Sequence, residues 1–194
     1  MTDLPQLIKN RFPYLPEEKL AELLSRCDIV MLDVGHIFIR AGERTTRIGF
    51  VIEGLMRNYT INHNGEEVTV LFAAEMQVIT PYATVLLGTP ATETSAAVER
   101  SMLLTLDLQE LRKEAQSDPL LMRLYTEMIE VALLGAILRI EDFTQKRPEQ
   151  RYQRLLDTKS HLTDRVPLKY LASYLGITAV SLSRIRKRLS QNRN

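Results

Sequence analysis

The apolar positions of this chain change their spacing twice, and each spacing predicts a different kind of structure. Residues 15–27 (LPEEKLAELLSRC) gather their leucines on one side, as an amphipathic helix does. From residue 29 to residue 107, the apolar residues fall in short runs that are separated by turn residues. From residue 118 onward, steps of three and four residues predict a mainly helical second half.

The middle region contains seven short runs with strand character. They are residues 29–34, 36–42, 48–54, 55–62, 67–73, 94–99 and 101–107. Asn64-Gly65 lies between two of these runs and is a strong hairpin signal, because both residues tolerate a positive φ. Short strands at such close spacing predict an antiparallel, jelly-roll-like β-roll with flanking helices.

A long helix is predicted to follow, with Asp118 as its N-cap and Pro119 in its first turn. Its apolar residues include an a/d seam of the coiled-coil type. The seam consists of Leu121, Leu124, Met128, Val131, Gly135 and Leu138. A second stripe, Leu120, Leu134 and Ile137, is expected to pack on the roll. Because two stripes need two partners, we expect the seam to be the dimer interface of a homodimer; the core helix of a monomer is the alternative.

The last part of the chain has the pattern of short helices joined by turns. Pro148 opens a helix over residues 149–157, and a polar connector, residues 158–165, follows it. The next helix ends at Gly176, where a helix C-terminus turns through positive φ. Thr178 suits the N-cap of a further helix, residues 179–189, whose inward face is Leu182, Ile185 and Leu189. This spacing predicts a helix-turn-helix.

Charge sets the same segment apart from the rest of the chain. Residues 166–194 contain no Asp or Glu and carry six basic residues: Lys169, Arg184, Arg186, Lys187, Arg188 and Arg193. The preceding residues hold the other 19 basic residues against all 24 acidic ones. A basic helix-turn-helix is the usual electrostatic footprint of DNA binding. A solvated basic tail is the alternative, but the regular apolar spacing argues against it.

The outward face of the last helix carries the candidate DNA contacts. Arg184 can make a bidentate pair with guanine in the major groove, whereas Ser181, Ser183, Lys187 and Lys169 suit phosphate oxygens. A solvated or ion-paired arginine is the alternative for Arg184. The full candidate set is Lys169, Thr178, Ala179, Val180, Ser181, Ser183, Arg184, Lys187 and Arg188.

Four segments follow the order and spacing of one protein family. They are GHIFIRAGE (35–43), IGFVIEGLMRNY (48–59), NGEEVTV (64–70) and VPLKYLASYLGITAVSLSRIRKRL (166–189). Over nearly its whole length the chain resembles the Crp/Fnr family of bacterial transcription regulators. The resemblance implies an α+β fold with a cyclic-nucleotide-binding-like β-roll (residues 1–117), a dimerisation helix (118–145) and an all-α helix-turn-helix domain (146–194). It also implies double-stranded DNA and a second copy of the chain as partners, with RNA polymerase as a candidate partner.

The chain departs from the cAMP-binding members of that family. Those members have a Gly-Glu pair and later an Arg-Ser/Thr-Ala triplet, where this chain has ITP (79–81) and TSA (94–96). Thr94 therefore stands where an arginine would neutralise the cyclic phosphate. We expect a regulator that does not respond to cAMP and whose effector is unknown or absent. Thr80, Tyr82, Thr94 and Ser95 are the candidate residues of a ligand pocket.

Two further departures lie in the helix-turn-helix. Ala179 and Val180 replace the arginine and glutamate of the best-known members, so the operator sequence is expected to differ. The sequence ends five residues after Leu189, and we expect no β-wing there.

Other functional classes have little support in the sequence. His36, His63 and His161 are scattered, and Cys27 is the single cysteine, so we expect no enzyme activity, metal site or cofactor. No apolar stretch approaches the about 20 residues of a transmembrane helix, and no signal peptide is evident, so the expected location is cytoplasmic. A small-molecule-sensing module that acts through a protein partner rather than DNA is the remaining alternative.

Overall fold

The computed structural model describes residues 3–191. The helices are α1 (Leu4–Arg11), α2 (Glu17–Ser25), α3 (Tyr82–Leu87), α4 (Leu108–Ala115), α5 (Pro119–Gln145), α6 (Pro148–Lys159), α7 (Leu162–Arg165), α8 (Leu168–Tyr174) and α9 (Ala179–Gln191). The strands are β1 (Asp28–Leu32), β2 (Ile37–Ile39), β3 (Arg47–Glu53), β4 (Met56–Ile61), β5 (Glu67–Ala73), β6 (Val78–Ile79), β7 (Thr94–Ala97) and β8 (Ser101–Asp107). Arg193, one of the six basic residues of the terminal segment, lies outside the described residues.

The strands form two four-stranded sheets, in the orders β1-β8-β3-β6 and β2-β7-β4-β5. The strand β8 pairs antiparallel with both β1 and β3, and Thr105 lies opposite Asp28 on one side and Gly49 on the other. The predicted antiparallel roll with flanking helices is confirmed, and each of the seven predicted strands is present.

The hairpin between β4 and β5 occurs where Asn64-Gly65 predicts it. Gly65 has a φ of +79°, whereas Asn64 does not use the left-handed region. The turn is organised instead by Asn62, whose side-chain oxygen accepts hydrogen bonds from the backbone N–H groups of Asn64 (2.9 Å) and Glu66 (3.0 Å). An Asx-type turn of this kind satisfies the backbone without a second positive φ.

Five elements were not predicted: α1, β6, α3, α4 and α7. Each is short, so its apolar pattern covers too few turns or residues to be recognised. The helix α4 has a clear local start, because Asp107 Oδ1 accepts hydrogen bonds from the N–H groups of Gln109 (2.8 Å) and Glu110 (3.0 Å). That cap could have been read from the sequence.

Tertiary contacts divide the chain into two compact units. The first unit contains the chain up to Asn58 together with Phe72–Ala132, and the second contains Tyr59–Leu71 and the chain from Leu133 onward. The hairpin residues 59–71 therefore group with the C-terminal helices. The helix α5 contributes its N-terminal half to the first unit and its C-terminal half to the second.

The helix α5 begins where the sequence predicts, but several of its apolar residues have packing environments that differ from the prediction. Asp118 Oδ1 accepts from the N–H groups of Leu120 (2.9 Å) and Leu121 (3.2 Å), which confirms the N-cap. Leu121 and Leu124 are only 1% and 2% exposed, because they pack in the core of the first unit with residues of α1, α2 and α4. Their assignment to a dimer interface is therefore wrong.

The other residues of the seam and the stripe divide between the core and the surface, and Leu120 packs as predicted. Met128 and Leu120 pack against the same core of the first unit. By contrast, Val131 (59% exposed), Leu134 (56%) and Ile137 (44%) present apolar side chains to solvent. The expectation that Leu134 and Ile137 are buried is wrong. Apart from Met122, the exposed large apolar side chains of α5 begin at Val131.

The second unit has its own core among α6, α7, α8 and α9. Its buried apolar residues are Tyr152, Leu155, Leu162, Val166, Leu171, Ala172, Leu175, Leu182 and Ile185. The predicted polar connector, residues 158–165, is wrong, since α6 extends to Lys159 and α7 follows it. Burial of Leu162 explains the short helix, because one apolar side chain within a polar stretch anchors it to the core.

The described residues contain neither a membrane-spanning helix nor a cluster of metal ligands. Among residues 3–191, no helix combines the length and the apolar character needed to cross a bilayer. Over the same residues, no group of His, Cys, Asp and Glu side chains is arranged to hold a metal ion.

Candidate nucleic-acid interface

The turn between α8 and α9 depends on Gly176. This residue has a φ of +68°, and a Cβ atom on it would lie 2.7 Å from Cε1 of Phe143. The backbone N–H of Ile177 donates to Ala172 O at 3.0 Å and closes the turn. Both the left-handed conformation and the close approach of Phe143 therefore require glycine here.

The helix α9 begins as its sequence predicts. Thr178 Oγ1 accepts a hydrogen bond from the backbone N–H of Ser181 at 3.1 Å, and the two hydroxyl oxygens lie 3.0 Å apart. The Thr178 hydroxyl is therefore the N-cap of α9. Leu182 and Ile185 are buried and Leu189 is half-buried, so the predicted inward face is confirmed.

The opposite side of α9 is open to solvent. Val180 is 62% exposed, and Ser183, Arg184 and Lys187 are exposed beside it. Within residues 3–191, no carboxylate lies within ion-pair distance of the Arg184 or Lys187 side chain. Ala179 and Ser181 are half-buried at the start of the helix. The structure thus places one guanidinium and one ammonium on the same solvent-facing side.

The other basic residues of this segment differ in whether their charged groups are exposed to solvent or engaged with other residues. Arg188 Nη2 lies 2.6 Å from Glu149 Oε1. The pKa of Glu149 is held below its usual range, mainly by a hydrogen bond from the backbone N–H of Glu149 and next by this contact with Arg188. Arg186 turns inward and donates through Nη2 to Thr163 O at 3.4 Å. Lys169 is exposed on α8, with its ammonium 4.7 Å from the centre of the Tyr170 ring. Arg186 therefore contributes a hydrogen bond within the second unit rather than a positive charge on the exposed side of α9.

Two residues that hold the turn were not identified from the sequence. Arg151 donates through Nε to Leu175 O at 3.0 Å and through Nη1 to Lys146 O at 2.9 Å. Its guanidinium carbon lies 4.6 Å from the centre of the Phe143 ring, and Phe143 in turn contacts Gly176. No local spacing marks these residues, because they meet only when α5, α6 and α8 pack together.

The hairpin residues of the second unit contact the first helix of the helix-turn-helix. Ser173 Oγ accepts from the backbone N–H of Thr69 at 3.2 Å and lies 3.0 Å from Thr69 Oγ1. Arg139 Nη2 donates to Thr69 O (3.2 Å) and to Tyr174 O (3.1 Å). A single arginine of α5 therefore joins β5 to the end of α8, and sequence reasoning missed it.

Three of the four candidate pocket residues lie buried in the first unit. Asn58, which was not predicted, donates to Thr80 O at 2.9 Å and accepts from Ser95 Oγ at 2.7 Å. Thr94 Oγ1 accepts from the backbone N–H of Ala41 at 3.1 Å. The fourth candidate, Tyr82, is half-buried, and burial raises its pKa to about 12. The polar groups of Thr94 and Ser95 are thus engaged within the protein itself.

A carboxyl group joins this buried cluster. Glu93 Oε2 accepts a hydrogen bond from Asn58 Nδ2 at 2.9 Å. Burial raises the pKa of Glu93, and the hydrogen bond from Asn58 opposes that rise. An anion bound at Ser95 would therefore lie close to the Glu93 carboxyl group, with only the Asn58 side-chain amide between them.

Comparisons with known proteins agree with this architecture. Residues 29–118 match the Cyclic nucleotide-binding domain family. A comparison with curated proteins gives no match.

Solved structures with a similar fold include three bacterial proteins. FixK2 from Bradyrhizobium japonicum has a TM-score of 0.74 and 17% identity, over 86% of this chain and 85% of that chain. The c-di-GMP responsive global regulator CLP of Xanthomonas campestris has a TM-score of 0.72 and 14% identity, over 91% and 93%. The catabolite activator protein of Thermus thermophilus has a TM-score of 0.56 and 18% identity, over 93% and 86%.

At these identities, the structural comparisons establish the fold. The fold is the one expected from the sequence motifs, with a roll, a long helix and a terminal helix-turn-helix. Residues 29–118 thus match the cyclic nucleotide-binding domain family, and the chain as a whole shares the fold of FixK2, CLP and the catabolite activator protein.

Proposed function

We propose that this protein is a transcription regulator that binds a specific DNA duplex as a homodimer. The observation that carries the proposal is the division of α9 into two faces. Leu182 and Ile185 fix one face in the core of the second unit, while Arg184 and Lys187 occupy the solvent-facing side with no neighbouring carboxylate among residues 3–191. A rigid helix with a basic outer face is suited to the major groove.

The side chains of this face divide between two roles. Arg184 is placed to form a bidentate pair with guanine, and the Val180 side chain can contact a thymine methyl group. Lys187, Lys169 and the hydroxyl of Ser183 suit phosphate oxygens, which fix the register. Ala179, Ser181 and the capping Thr178 lie at the N-terminal end of α9, which is the end that meets base edges in helix-turn-helix proteins.

Arg188 can also reach phosphate despite its contact with Glu149. The ion pair lies at the surface, and such pairs contribute about 0–1 kcal/mol. A phosphate group can therefore displace Glu149 at little cost. We expect Arg188 to contribute to affinity more than to sequence preference.

The proposed dimer contact starts later on α5 than the sequence seam suggests. Val131, Leu134 and Ile137 expose large apolar side chains, and Gly135 lies among them with no atom near the position of its missing Cβ. Leu138 is half-buried on the same part of the helix. Pairing of two α5 helices here would bury this surface and present two α9 helices about one DNA turn apart.

Self-association has a direct test on α5. Leu134→Glu is expected to shift the sedimentation coefficient to that of a monomer, because it brings a charge into an apolar contact. Met122→Glu is the matched control, since Met122 is an exposed apolar residue of the same helix outside the proposed contact. If both variants sediment as the unchanged protein does, the proposed contact is wrong.

We also propose that cAMP is not the effector. Thr94 stands at the position of the phosphate-binding arginine, and its hydroxyl is bonded to the backbone of Ala41. The Glu93 carboxyl group, joined through Asn58 to Ser95, would repel a phosphate at the same place. A buried phosphate without a counter-charge costs several kcal/mol.

Selection of bound sequences from a random duplex pool tests the DNA proposal. We expect a two-fold related consensus to be enriched by the unchanged protein. Arg184→Ala should reduce the preference at one base pair of each half-site by about 1–3 kcal/mol. Failure to enrich any duplex at moderate salt would refute the proposal and favour action through a protein partner.

A further inference from the structure

A basic cavity lies within the second unit, behind the turn of the helix-turn-helix. Its volume is about 170 Å³, and its walls come from the C-terminal part of α5, from α6 and from the end of α8. Five charged residues line it: Arg139, Arg151, Arg154, Lys159 and Asp142. Four positive side chains therefore meet a single carboxylate.

That carboxylate is already neutralised. Asp142 Oδ1 lies 2.7 Å from Arg154 Nη1 and 2.7 Å from Lys146 Nζ. No other acidic side chain of the described residues lines the cavity. The charges of Arg139, Arg151 and Lys159 are consequently uncompensated by an acidic residue of the cavity wall.

The two inner arginines bond to carbonyl groups rather than to acids. Arg139 donates to Thr69 O and Tyr174 O, and Arg151 donates to Leu175 O and Lys146 O. Their guanidinium carbons lie 4.8 Å and 4.6 Å from the centre of the Phe143 ring, which keeps both groups partly away from water. Burial lowers the pKa of Arg139, Tyr174 and Asp142 oppose that shift, and the nearby Arg151 charge acts in the same direction as burial. A carbonyl dipole orients a guanidinium but does not neutralise it, so the cavity retains a strong preference for an anion.

We propose that this cavity binds a phosphate group, either as inorganic phosphate or on a small metabolite. Guanidinium and ammonium donors suit phosphate oxygens, and a doubly charged anion matches a surplus of positive charge better than a single carboxylate does. The volume equals that of several water molecules at about 30 Å³ each, which leaves room for a phosphate and a short organic chain. Leu138, Leu155 and Tyr174 supply an apolar wall for that chain.

Occupancy of the cavity would act on the turn before α9. Phe143 and Arg151 line the cavity and are also the side chains nearest to Gly176. An anion that draws Arg151 toward itself would change the support of the Leu175 carbonyl and thereby the position of the turn. This regulatory effect rests on the proposed DNA binding, whereas binding of the anion does not.

Two lysine variants test the site without breaking a contact that holds the fold. Lys159→Gln removes one charge from the cavity, and Lys113→Gln removes one from the exposed surface of α4 in the first unit. Inorganic phosphate and glycerol 3-phosphate are titrated into the full chain at constant ionic strength, and amide chemical shifts are followed by NMR.

We expect saturable shifts at Gly176 and over residues 139–159 with both probes. Lys159→Gln should weaken phosphate binding about tenfold, the loss of one charge-assisted contact, while Lys113→Gln leaves it unchanged. Tighter binding of glycerol 3-phosphate would identify a metabolite site, and equal or tighter binding of inorganic phosphate would identify free phosphate. Shifts confined to α9, or equal weakening by the two variants, would overturn the proposal even if DNA binding is intact.

Discussion

Replacement of Gly176 by alanine perturbs the turn of the helix-turn-helix in two separable ways. The left-handed conformation at a φ of +68° costs an L-residue about 1–2 kcal/mol. The new Cβ would also lie 2.7 Å from Phe143 Cε1 and 3.3 Å from its Cζ, so the ring must move, and overpacking of this kind costs about 1–3 kcal/mol. Phe143 is partly exposed and can give way, which favours the lower end of that range. We expect Gly176→Ala to lower the free energy of unfolding of the second unit by about 2–4 kcal/mol.

Gly65→Ala is the control that separates the cost of the left-handed conformation from the cost of the clash with Phe143. Gly65 belongs to the same unit as Gly176. Its φ is +79°, but a Cβ there would meet nothing within 4 Å, so only the conformational cost of about 1–2 kcal/mol applies. Urea unfolding followed by circular dichroism, with amide exchange to localise the loss, measures both variants. Phe143→Leu added to Gly176→Ala should recover part of the difference. Equal destabilisation by the two alanine variants would refute the reasoning that Phe143 makes the glycine necessary.

Four further predictions concern single groups. Lys187→Ala should weaken binding to all duplexes alike and reduce the slope of log affinity against log salt by about 1; a changed base preference would contradict its phosphate role. Ser173→Ala should cost about 1 kcal/mol and speed amide exchange at Thr69, whose N–H donates to the Ser173 hydroxyl; unchanged exchange would contradict that contact. Burial raises the pKa of the Cys27 thiol from 9.0 to about 11, so a contribution to stability that is fully present below pH 9 should be lost between pH 9 and pH 11. Denaturant titrations should therefore show a steeper decline over this range in the unchanged protein than in Cys27→Ala, in which the raised pKa of Tyr82 still acts above pH 10. Calorimetry should find no micromolar affinity for cAMP, and a measured affinity in that range would refute the reasoning from Thr94 and Glu93.

The parts of the fold that the sequence predicted share a local origin. Asp118 caps α5 through the backbone N–H groups two and three residues later, and Thr178 caps α9 in the same manner. The Asn64-Gly65 pair marks the hairpin, although Asn62 organises the turn. Each signal involves residues within a few positions of one another, so no knowledge of distant contacts is needed.

The candidate site was predicted less completely than the fold. The exposed side of α9 follows from helical periodicity, so the positions of Ser183, Arg184 and Lys187 could be predicted. The inward course of Arg186 and the contact between Arg188 and Glu149 could not, because they depend on α6 and α7. Sequence spacing shows which side of a helix a residue occupies, but it does not show what that side will meet.

The sequence by itself determined the order of seven strands and the main helices, the caps of α5 and α9, the glycine turn and the separation of charge, because these depend on near neighbours and on composition. The tertiary structure alone decided that Leu121 and Leu124 enter a core, that Asn58 links Ser95 to Glu93, and that Arg139 joins β5 to α8. The physical reason is the same in each case. An apolar stripe or a polar group has no intrinsic partner, and its role is fixed only when packing brings a distant surface or carbonyl group against it.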